Sequence, residues 1–371
     1  MATAPDTRSE LPGVDASGGI SPPELRLAAR NHALPLEALA YDVTPAGLHY
    51  LLIHYDIPVL DAASWRLEVG GRVGRELSLS LDDLRARPAV TEAVTLECAG
   101  NGRAQLSPRP ISQPWLLEAV GTAEWTGVPL AALLEEAGVA EGAVEVLFRG
   151  LDRGVEGDQL QHYERSLTLE DARREEVLLA YAMNGQPLPP QHGFPLRLVV
   201  PGWYGMTSVK WLGSITVLDR PFEGYQQARG YRLRQTPDEP GEPVTRMAPR
   251  SLMVPPGVPE FATRERRVEP GRVTVRGRAW SGRAEIARVE VSADGGATWS
   301  DARLLPARSR WAWRAWEWEW DAEPGEHELC CRATDAAGKA QPLEAPWNLG
   351  GYANNEVQRV PVRVERSQLD V

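Results

Sequence analysis

Hydrophobic and polar residues follow two different patterns along the chain. Up to about residue 231, short alternating segments such as 65–69 predict strands, and these are mixed with helical segments. One helix is predicted over 129–137, with a proline in its first turn and Gly138 at its end. Beyond residue 267 the residues alternate almost throughout, and Asp-Gly-Gly at 294–296 predicts a hairpin turn. The pattern therefore predicts an α+β fold, in which a mixed α/β domain is followed by an all-β, immunoglobulin-like sandwich.

Three segments follow from these patterns and from the composition. Residues 1–23 are polar and contain glycine and proline, which predicts a flexible N-terminal arm. The proline-rich stretch 237–259 is typical of a linker. The mixed domain is therefore predicted over 24–240 and the sandwich over 241–371.

Five tryptophans lie between residues 311 and 320. A period of two would place Trp311 and Trp313 on one face of a strand and the other three on the opposite face. We predict a bulge near Arg314 that brings all five to the same side. Two interpretations remain open: a buried interface between domains or subunits, and an unusually aromatic core.

Charge and composition exclude several classes of function. The net charge of −11 argues against nucleic acid or an anionic membrane as the main partner, and no apolar run is long enough to span a bilayer. No apolar signal segment and no twin-arginine pair occur near the N-terminus, so a cytoplasmic location is expected. The cysteines are Cys98, Cys330 and Cys331, and their spacing matches no CxxC, haem-attachment or zinc motif, so no disulfide framework is expected.

Cys98 is the first candidate for chemistry. It follows the strand-like segment 93–96 and precedes a turn of small residues, with Arg103 five positions further on. A thiol at the end of a strand is held rigidly by the strand backbone and is accessible on its other side, which suits a metal ligand or a nucleophile. A nearby guanidinium can lower the thiol pKa or bind an anion. A lone cysteine is more often a buried structural residue, so the functional interpretation depends on the motifs that follow.

Several short motifs occur after Cys98, and each is weak by itself. They are Gly-Leu-Asp at 150–152, Asn-Gly-Gln-Pro-Leu-Pro at 184–189, His-Gly-Phe-Pro-Leu-Arg at 192–197, Pro-Gly-Trp-Tyr-Gly at 201–205 and Ser-Val-Lys-Trp-Leu at 208–212. Together with Thr-Leu-Glu-Cys-Ala-Gly-Asn at 95–101, this order and spacing resemble the sulfite oxidase family of molybdenum enzymes, which includes eukaryotic assimilatory nitrate reductases. The resemblance extends from about residue 35 to the C-terminus, and the sandwich resembles the family's dimerisation domain.

The resemblance implies a molybdenum–molybdopterin cofactor, with Cys98 as the thiolate that binds the metal. The residues implied to hold the pterin and its phosphate are Tyr50, His54, Asp152, His192, Arg197, Ser208, Val209 and Lys210. Arg103, Trp115 and Tyr231 would line the substrate pocket and act in catalysis with Cys98. His54 matches the family's Arg-Asn-His segment, whereas Arg-Asn-His at 30–32 is interpreted as a coincidence.

Two arginines of the family's oxyanion pocket have no counterpart in this chain. Leu52 and Gly350 stand at these positions. Because a hydrogen bond to a charged group contributes about 1.5–3 kcal/mol, sulfite binding is expected to be weaker unless Arg109, Arg229 or Arg232 substitutes.

The leading hypothesis for function is an oxo-transfer oxidoreductase that oxidises sulfite, or a related sulfur compound, to sulfate. The resemblance implies a homodimer. It also implies an external electron acceptor, such as a small cytochrome, because no haem or flavin segment is recognised in the chain. One alternative is a reductase that acts on a sulfoxide or a nitrate-like substrate. The other is a catalytically silent protein that binds molybdopterin or mediates interactions through its β-sandwich.

Overall fold

The computed structural model describes residues 13–15, 17 and 19–366. The helices are short: α1 Pro22–Ala28, α2 Leu81–Arg85, α3 Leu130–Ala137, α4 Leu169–Ala172 and α5 Tyr225–Ala228, with 3-10 turns at Leu36–Ala40, Arg103–Gln105, Pro190–His192 and Gly205–Thr207. Ser80 caps α2 by accepting a hydrogen bond from the N–H of Asp83, and α3 ends at Gly138 in the left-handed region, with φ 68°. Within the residues described, no helix has the length and apolar character that crossing a bilayer requires.

Strands dominate the rest of the structure. Those of the first domain are β1 Val14–Asp15, β2 Leu67–Gly71, β3 Leu77–Leu79, β4 Val90–Glu97, β5 Arg109–Pro110, β6 Val120–Pro129, β7 Glu145–Glu156, β8 Gln159–Thr168, β9 Leu178–Met183, β10 Gln186–Pro187, β11 Arg197–Val199, β12 Leu212–Leu218, β13 Arg232–Leu233 and β14 Glu242–Pro243. Those of the second domain are β15 Arg250–Val254, β16 Val258–Pro259, β17 Arg266–Val268, β18 Gly271–Trp280, β19 Ile286–Ser292, β20 Ser300–Asp301, β21 Arg303–Leu304, β22 Arg314–Ala322, β23 Gly325–Asp335 and β24 Gln358–Val364.

The first domain is built on two five-stranded sheets. One has the order β10-β9-β6-β4, with β11 also paired to β9, and the other has the order β3-β2-β12-β7-β8, in which β2 and β12 are parallel. A single hydrophobic core contains residues of both sheets, including Leu67, Phe148 and Leu198. The first sheet therefore carries β4, and with it Cys98, on a packed support.

The second domain is a β-sandwich, as predicted. Its sheets have the orders β15-β18-β22-β21 and β16-β17-β24-β23-β19-β20, and side chains such as Val275, Leu329 and Val362 form a common core. The predicted turn at 294–296 lies between β19 and β20, which pair antiparallel. The α+β fold followed by a sandwich is confirmed.

The predicted arm, residues 1–23, lies largely outside the described residues. In its described part, β1 pairs antiparallel with β5. The buried guanidinium of Arg109 forms ion pairs with Asp15 and Glu24. These contacts hold the described part of the N-terminal segment against the first domain.

The predicted bulge in the tryptophan-rich strand is wrong. Strand β22 pairs with β18 without a shift of register over its 9 residues. Trp316 and Trp320 are buried in the sandwich core, and Trp318 packs against the same core. These three tryptophans therefore belong to an aromatic core, which was one of the two interpretations.

The remaining two tryptophans lie at the contact between the domains. Both precede β22, so the alternation of a strand does not apply to them. The carbonyl of Trp311 accepts a hydrogen bond from the N–H of Thr95 on β4, at 2.9 Å. The Trp313 ring lies 6.5 Å from that of Trp280, and its Nε1 donates to the carbonyl of Asp42. The interface interpretation therefore holds for these two residues.

A buried carboxylate also joins the two domains. Glu97, the last residue of β4, is only 1% exposed. It accepts hydrogen bonds from Arg250 Nη1 and Trp280 Nε1, each at 2.9 Å, and from Asn101 Nδ2 at 3.0 Å. Arg250 is itself fully buried on β15. The residue directly before Cys98 is therefore fixed to the sandwich by charge as well as by packing.

We predict that Glu97→Gln destabilises the protein. The variant leaves the Arg250 cation buried without a counter-charge, which typically costs about 3–5 kcal/mol. The free energy of unfolding, measured by denaturant titration, should fall by this amount. The control is Glu92→Gln, since Glu92 lies on the same strand but is partly exposed, and it should stay within about 0.5 kcal/mol of wild type. Equal effects of the two substitutions would contradict a structural role for the buried pair.

Candidate active site

A cavity beside the end of β4 brings together segments that are far apart in sequence. Predicted site residues that line it are Tyr50, His54, Cys98, Asp152, His192, Arg197, Ser208, Lys210 and Tyr231. Of the residues implied to hold the cofactor, Val209 does not line the cavity, because its side chain is fully buried in the core between the two sheets. Its backbone carbonyl accepts a hydrogen bond from the N–H of Leu198, which helps to fix the segment that carries Ser208 and Lys210.

Cys98 is held in place by the strands around it. Its N–H donates to the carbonyl of Ala119 at 2.9 Å, and its side chain packs against Trp115. Burial raises the pKa of the Cys98 thiol, while the charge of Arg103 opposes this effect. A bound metal cation would displace the thiol proton. Among the described residues, no group of three or more His, Cys, Asp and Glu side chains could hold a metal ion.

Arg197 is a buried cation that hydrogen-bonds to backbone carbonyls. Its Nη1 donates to the carbonyl of His192 and its Nη2 to that of Ser208, both at 3.1 Å, and its guanidinium lies 4.6 Å from the ring of Trp125. Burial lowers the pKa of Arg197 to about 10. No carboxylate within the described part of the chain forms an ion pair with it, so its charge is available to an anion in the cavity.

Lys210 is the second buried cation. Its Nζ donates to the carbonyls of Leu52, at 2.7 Å, and Gln191, at 3.1 Å. Burial, together with the charge of Arg197, lowers the pKa of Lys210 to about 7, and the charge of Asp152 opposes both effects. Burial likewise raises the pKa of Asp152 to about 6, against the effect of Lys210. Two cations and one carboxylate therefore face the same cavity, a balance that favours an anionic ligand.

Two histidines in the wall each have one ring nitrogen without a hydrogen-bond partner in the described part of the chain. The rings of His49 and His192 meet edge to face at 5.5 Å, and neither Nε2 has a partner among the residues described. Burial lowers the pKa of His49 to about 4 and that of His192 further still, so both are neutral at pH 7. Because buried polar atoms normally have partners, these nitrogens indicate a ligand. His49 was missed in the sequence, although it directly precedes Tyr50.

Tyr231 and His54 form a hydrogen-bonded pair next to Cys98. The Tyr231 hydroxyl lies 2.6 Å from His54 Nε2. Burial lowers the pKa of His54 to about 3 and raises that of Tyr231 well above its usual value, so the phenol donates and the neutral imidazole accepts. Tyr231 has φ 48°, a strained conformation that persists only when its surroundings hold it. Part of that support is Arg165, a buried arginine missed in the sequence, whose guanidinium lies 5.6 Å from the ring.

A second, larger cavity meets the first at Cys98, Leu52, His54 and Tyr231. The predicted pocket residues Arg103 and Trp115 line it, together with Tyr352, which sequence reasoning missed. Arg103 Nε donates to the carbonyl of Gly350 at 2.8 Å, and its guanidinium lies 5.1 Å from the ring of Tyr352. The predicted substrate pocket and cofactor site therefore lie on either side of one thiol.

The sequence offers three arginines as replacements for the missing cations, namely Arg109, Arg229 and Arg232. Arg109 is excluded because its guanidinium is bound to Asp15 and Glu24 and does not line the second cavity. Arg229 and Arg232 do line this cavity. Arg229 is exposed, and Arg232 donates to the carbonyls of residues 240 and 241.

Comparison with known proteins gives consistent matches over most of the chain. Residues 54–226 match the oxidoreductase molybdopterin binding domain and residues 244–365 match the Mo-co oxidoreductase dimerisation domain. Mitochondrial sulfite oxidase from Homo sapiens is 40% identical over 87% of this chain, which spans 62% of that protein's length. Sulfite oxidase from Arabidopsis thaliana is 34% identical, with 94% of this chain and 96% of that protein covered. The sulfane dehydrogenase SoxCD from Paracoccus pantotrophus superposes with a TM-score of 0.78 at 28% identity, covering 90% of this chain and 86% of that one.

We predict that Lys210→Met stabilises the protein free of bound anions, and does so most at low pH. The folded-state pKa of Lys210, about 7, lies below its usual value of 10.5. The unfavourable burial of the charge is therefore fully present below pH 7 and disappears as the pH rises towards 10.5.

The measurement is the thermal midpoint of both proteins between pH 6 and 10. The difference, variant minus wild type, should shrink as the pH rises. Lys339→Met is the matched control, since Lys339 is the other lysine of the chain and is exposed. A difference that does not change with pH would contradict the burial of an unpaired charge at Lys210.

Proposed function

The chain belongs to the sulfite oxidase family of molybdopterin oxidoreductases, and we propose that it is a molybdenum-dependent oxo-transfer enzyme that oxidises sulfite or a related sulfur compound. The observation that carries this proposal is the meeting of two cavities at the Cys98 thiol. The first is lined by the cations Arg197 and Lys210, and the second is the larger of the two and also contains the arginine Arg103.

The residues of the first cavity fit molybdopterin. Arg197 and Lys210 would hold the phosphate, because they are buried cations without sufficient counter-charge. The free Nε2 of His192 would gain a partner from the pterin, and Asp152 offers an acceptor to its edge. Cys98 would bind the metal through its thiolate. When bound, this group supplies the oxygen atom that is transferred and accepts the two electrons released.

The residues of the second cavity would bind and orient the substrate. Arg103 is fixed by the carbonyls of Gly350 and Gln113 and places its guanidinium beside Cys98. The Tyr231 hydroxyl donates a hydrogen bond to neutral His54, which fixes the tyrosine ring in the wall of this cavity. Trp115 and Leu52 cover the inner wall and exclude water from the thiol.

Partners of the protein are also proposals. The match of the sandwich to a dimerisation domain supports a homodimer. We propose that electrons leave one at a time to a separate carrier, such as a small cytochrome. The cytoplasmic location stays a prediction from the sequence.

We predict that Cys98→Ser abolishes sulfite oxidation while the protein keeps its fold and retains pterin. A serine hydroxyl cannot replace a thiolate as a soft ligand, whereas the buried cations that hold the phosphate remain. The measurements are the reduction of ferricyanide by sulfite, the metal content and the pterin content of each protein. Cys330→Ala is the control, because it removes a thiol on β23 in the sandwich. Undiminished turnover by the Cys98→Ser protein would rule out this assignment.

A further inference from the structure

Among the described residues, four arginines line the second cavity, and they differ in what holds them. Arg103 lines it together with Cys98. Its Nε and Nη1 donate to the carbonyls of Gly350 and Gln113. Within the described residues no hydrogen-bond partner is found for Nη2, which is therefore left for one oxygen of a substrate.

The other arginines of this cavity are tied to its outer part. Arg232 donates to the carbonyls of residues 240 and 241, and Arg234 to that of Pro237. These partners belong to the loop 237–241, which is mostly exposed. Arg229 is itself exposed at the end of α5. None of the three is held against the thiol in the way that Arg103 is.

Part of the wall around Arg103 is apolar and aromatic. Leu52 and Trp115 line it, and both also contribute to the cluster that contains Cys98. Tyr352 completes it, with its ring 5.1 Å from that of Tyr231. A Cβ atom at Gly350 would lie 2.3 Å from this ring. The place where a side chain of residue 350 would start is therefore filled by an aromatic ring.

Further apolar side chains line the same cavity. Leu27, Ile111 and Val155 belong to its lining and are exposed large apolar side chains. Val155 is 70% exposed. Together with Leu52, Trp115 and Tyr352 they give the cavity an apolar share of its lining, which fits a substrate with an apolar part.

We infer that the preferred substrate is an organic sulfinate, R–SO2⁻, which the enzyme oxidises to the sulfonate R–SO3⁻. The inference rests on the proposed function and specifies its substrate. A sulfinate has the sulfur lone pair and two oxygens of sulfite, but a carbon group replaces the third oxygen. It carries one negative charge, which one guanidinium balances, and its carbon group would pack on Leu52, Trp115 and Tyr352.

The reaction balances in the same way as sulfite oxidation. One sulfur–oxygen bond forms, and the oxygen atom comes ultimately from water: R–SO2⁻ + H2O gives R–SO3⁻ + 2 H⁺ + 2 e⁻. The sulfur is oxidised, and the two electrons pass to two equivalents of a one-electron acceptor. The protons are released to solvent.

The first test compares benzenesulfinate with sulfite on wild-type protein of confirmed molybdenum content, with ferricyanide as acceptor. We expect kcat/KM for benzenesulfinate to exceed that for sulfite by at least about 10-fold, the effect of one favourable apolar contact and one charge fewer to desolvate. Any smaller ratio overturns the inference. Turnover of sulfite alone leaves the proposed function standing, whereas turnover of neither compound overturns both.

The second test introduces the missing charge with Leu52→Arg and uses Leu52→Met as the matched apolar control. The arginine variant should lower the ratio of the two kcat/KM values by at least about 10-fold, because a second guanidinium favours the anion with more oxygens. The methionine variant keeps an apolar side chain without adding charge, so benzenesulfinate should remain its preferred substrate. Equal ratios in the two variants overturn the inference.

Binding of unreactive products gives a readout that does not depend on turnover. By calorimetry, wild type should bind benzenesulfonate at least about 10-fold more tightly than sulfate, and Leu52→Arg should reverse this order. Preference of the wild-type protein for sulfate would overturn the inference even if both variants fold poorly.

Discussion

The cost of burying positive charge governs the structure around the site. Arg197 and Lys210 lie out of solvent, share a cavity with one carboxylate, and depend on backbone carbonyls and aromatic faces for support. Such contacts satisfy hydrogen bonds but do not neutralise the charge. The arrangement is incomplete without an anion, and the unpartnered nitrogens of His49 and His192 show the same incompleteness. The cavity is therefore preformed for its ligand, and binding of the ligand would stabilise the protein further.

The two domains cooperate in building the pocket. The sandwich supplies Arg250 and Trp280, which hold Glu97 next to the thiol. Segments that follow β23 supply Asn354, whose side chain donates to the carbonyl of Gly102, and the ring of Tyr352. The second domain therefore contributes residues to the active site, and it also resembles a dimerisation domain. Changes in the packing of the second domain should therefore alter the substrate pocket, because β4 connects the two.

Local signals in the sequence predicted much of the fold. A proline before Leu130 and Gly138 after Ala137 were sufficient for α3, and the turn at 294–296 was sufficient for one hairpin. The motifs also led to most of the residues around the first cavity, because the segments that contain Cys98, Asp152, His192 and Lys210 meet there. These features are determined by residues that are close together in the sequence, so a single sequence is enough to predict them.

Features that arise from distant contacts were not predictable in this way. Trp311 and Trp313 lie outside the strand to which the alternation was applied. Arg165 and Tyr352 occur in no motif, and they matter because the fold places them against Tyr231. Gly350 is read in the sequence as a lost arginine, but in the structure it is a position already filled by a neighbour's ring. This has an evolutionary consequence: an arginine could return at position 350 only after residue 352 had become smaller or had turned away, so the two sites should change together among homologues.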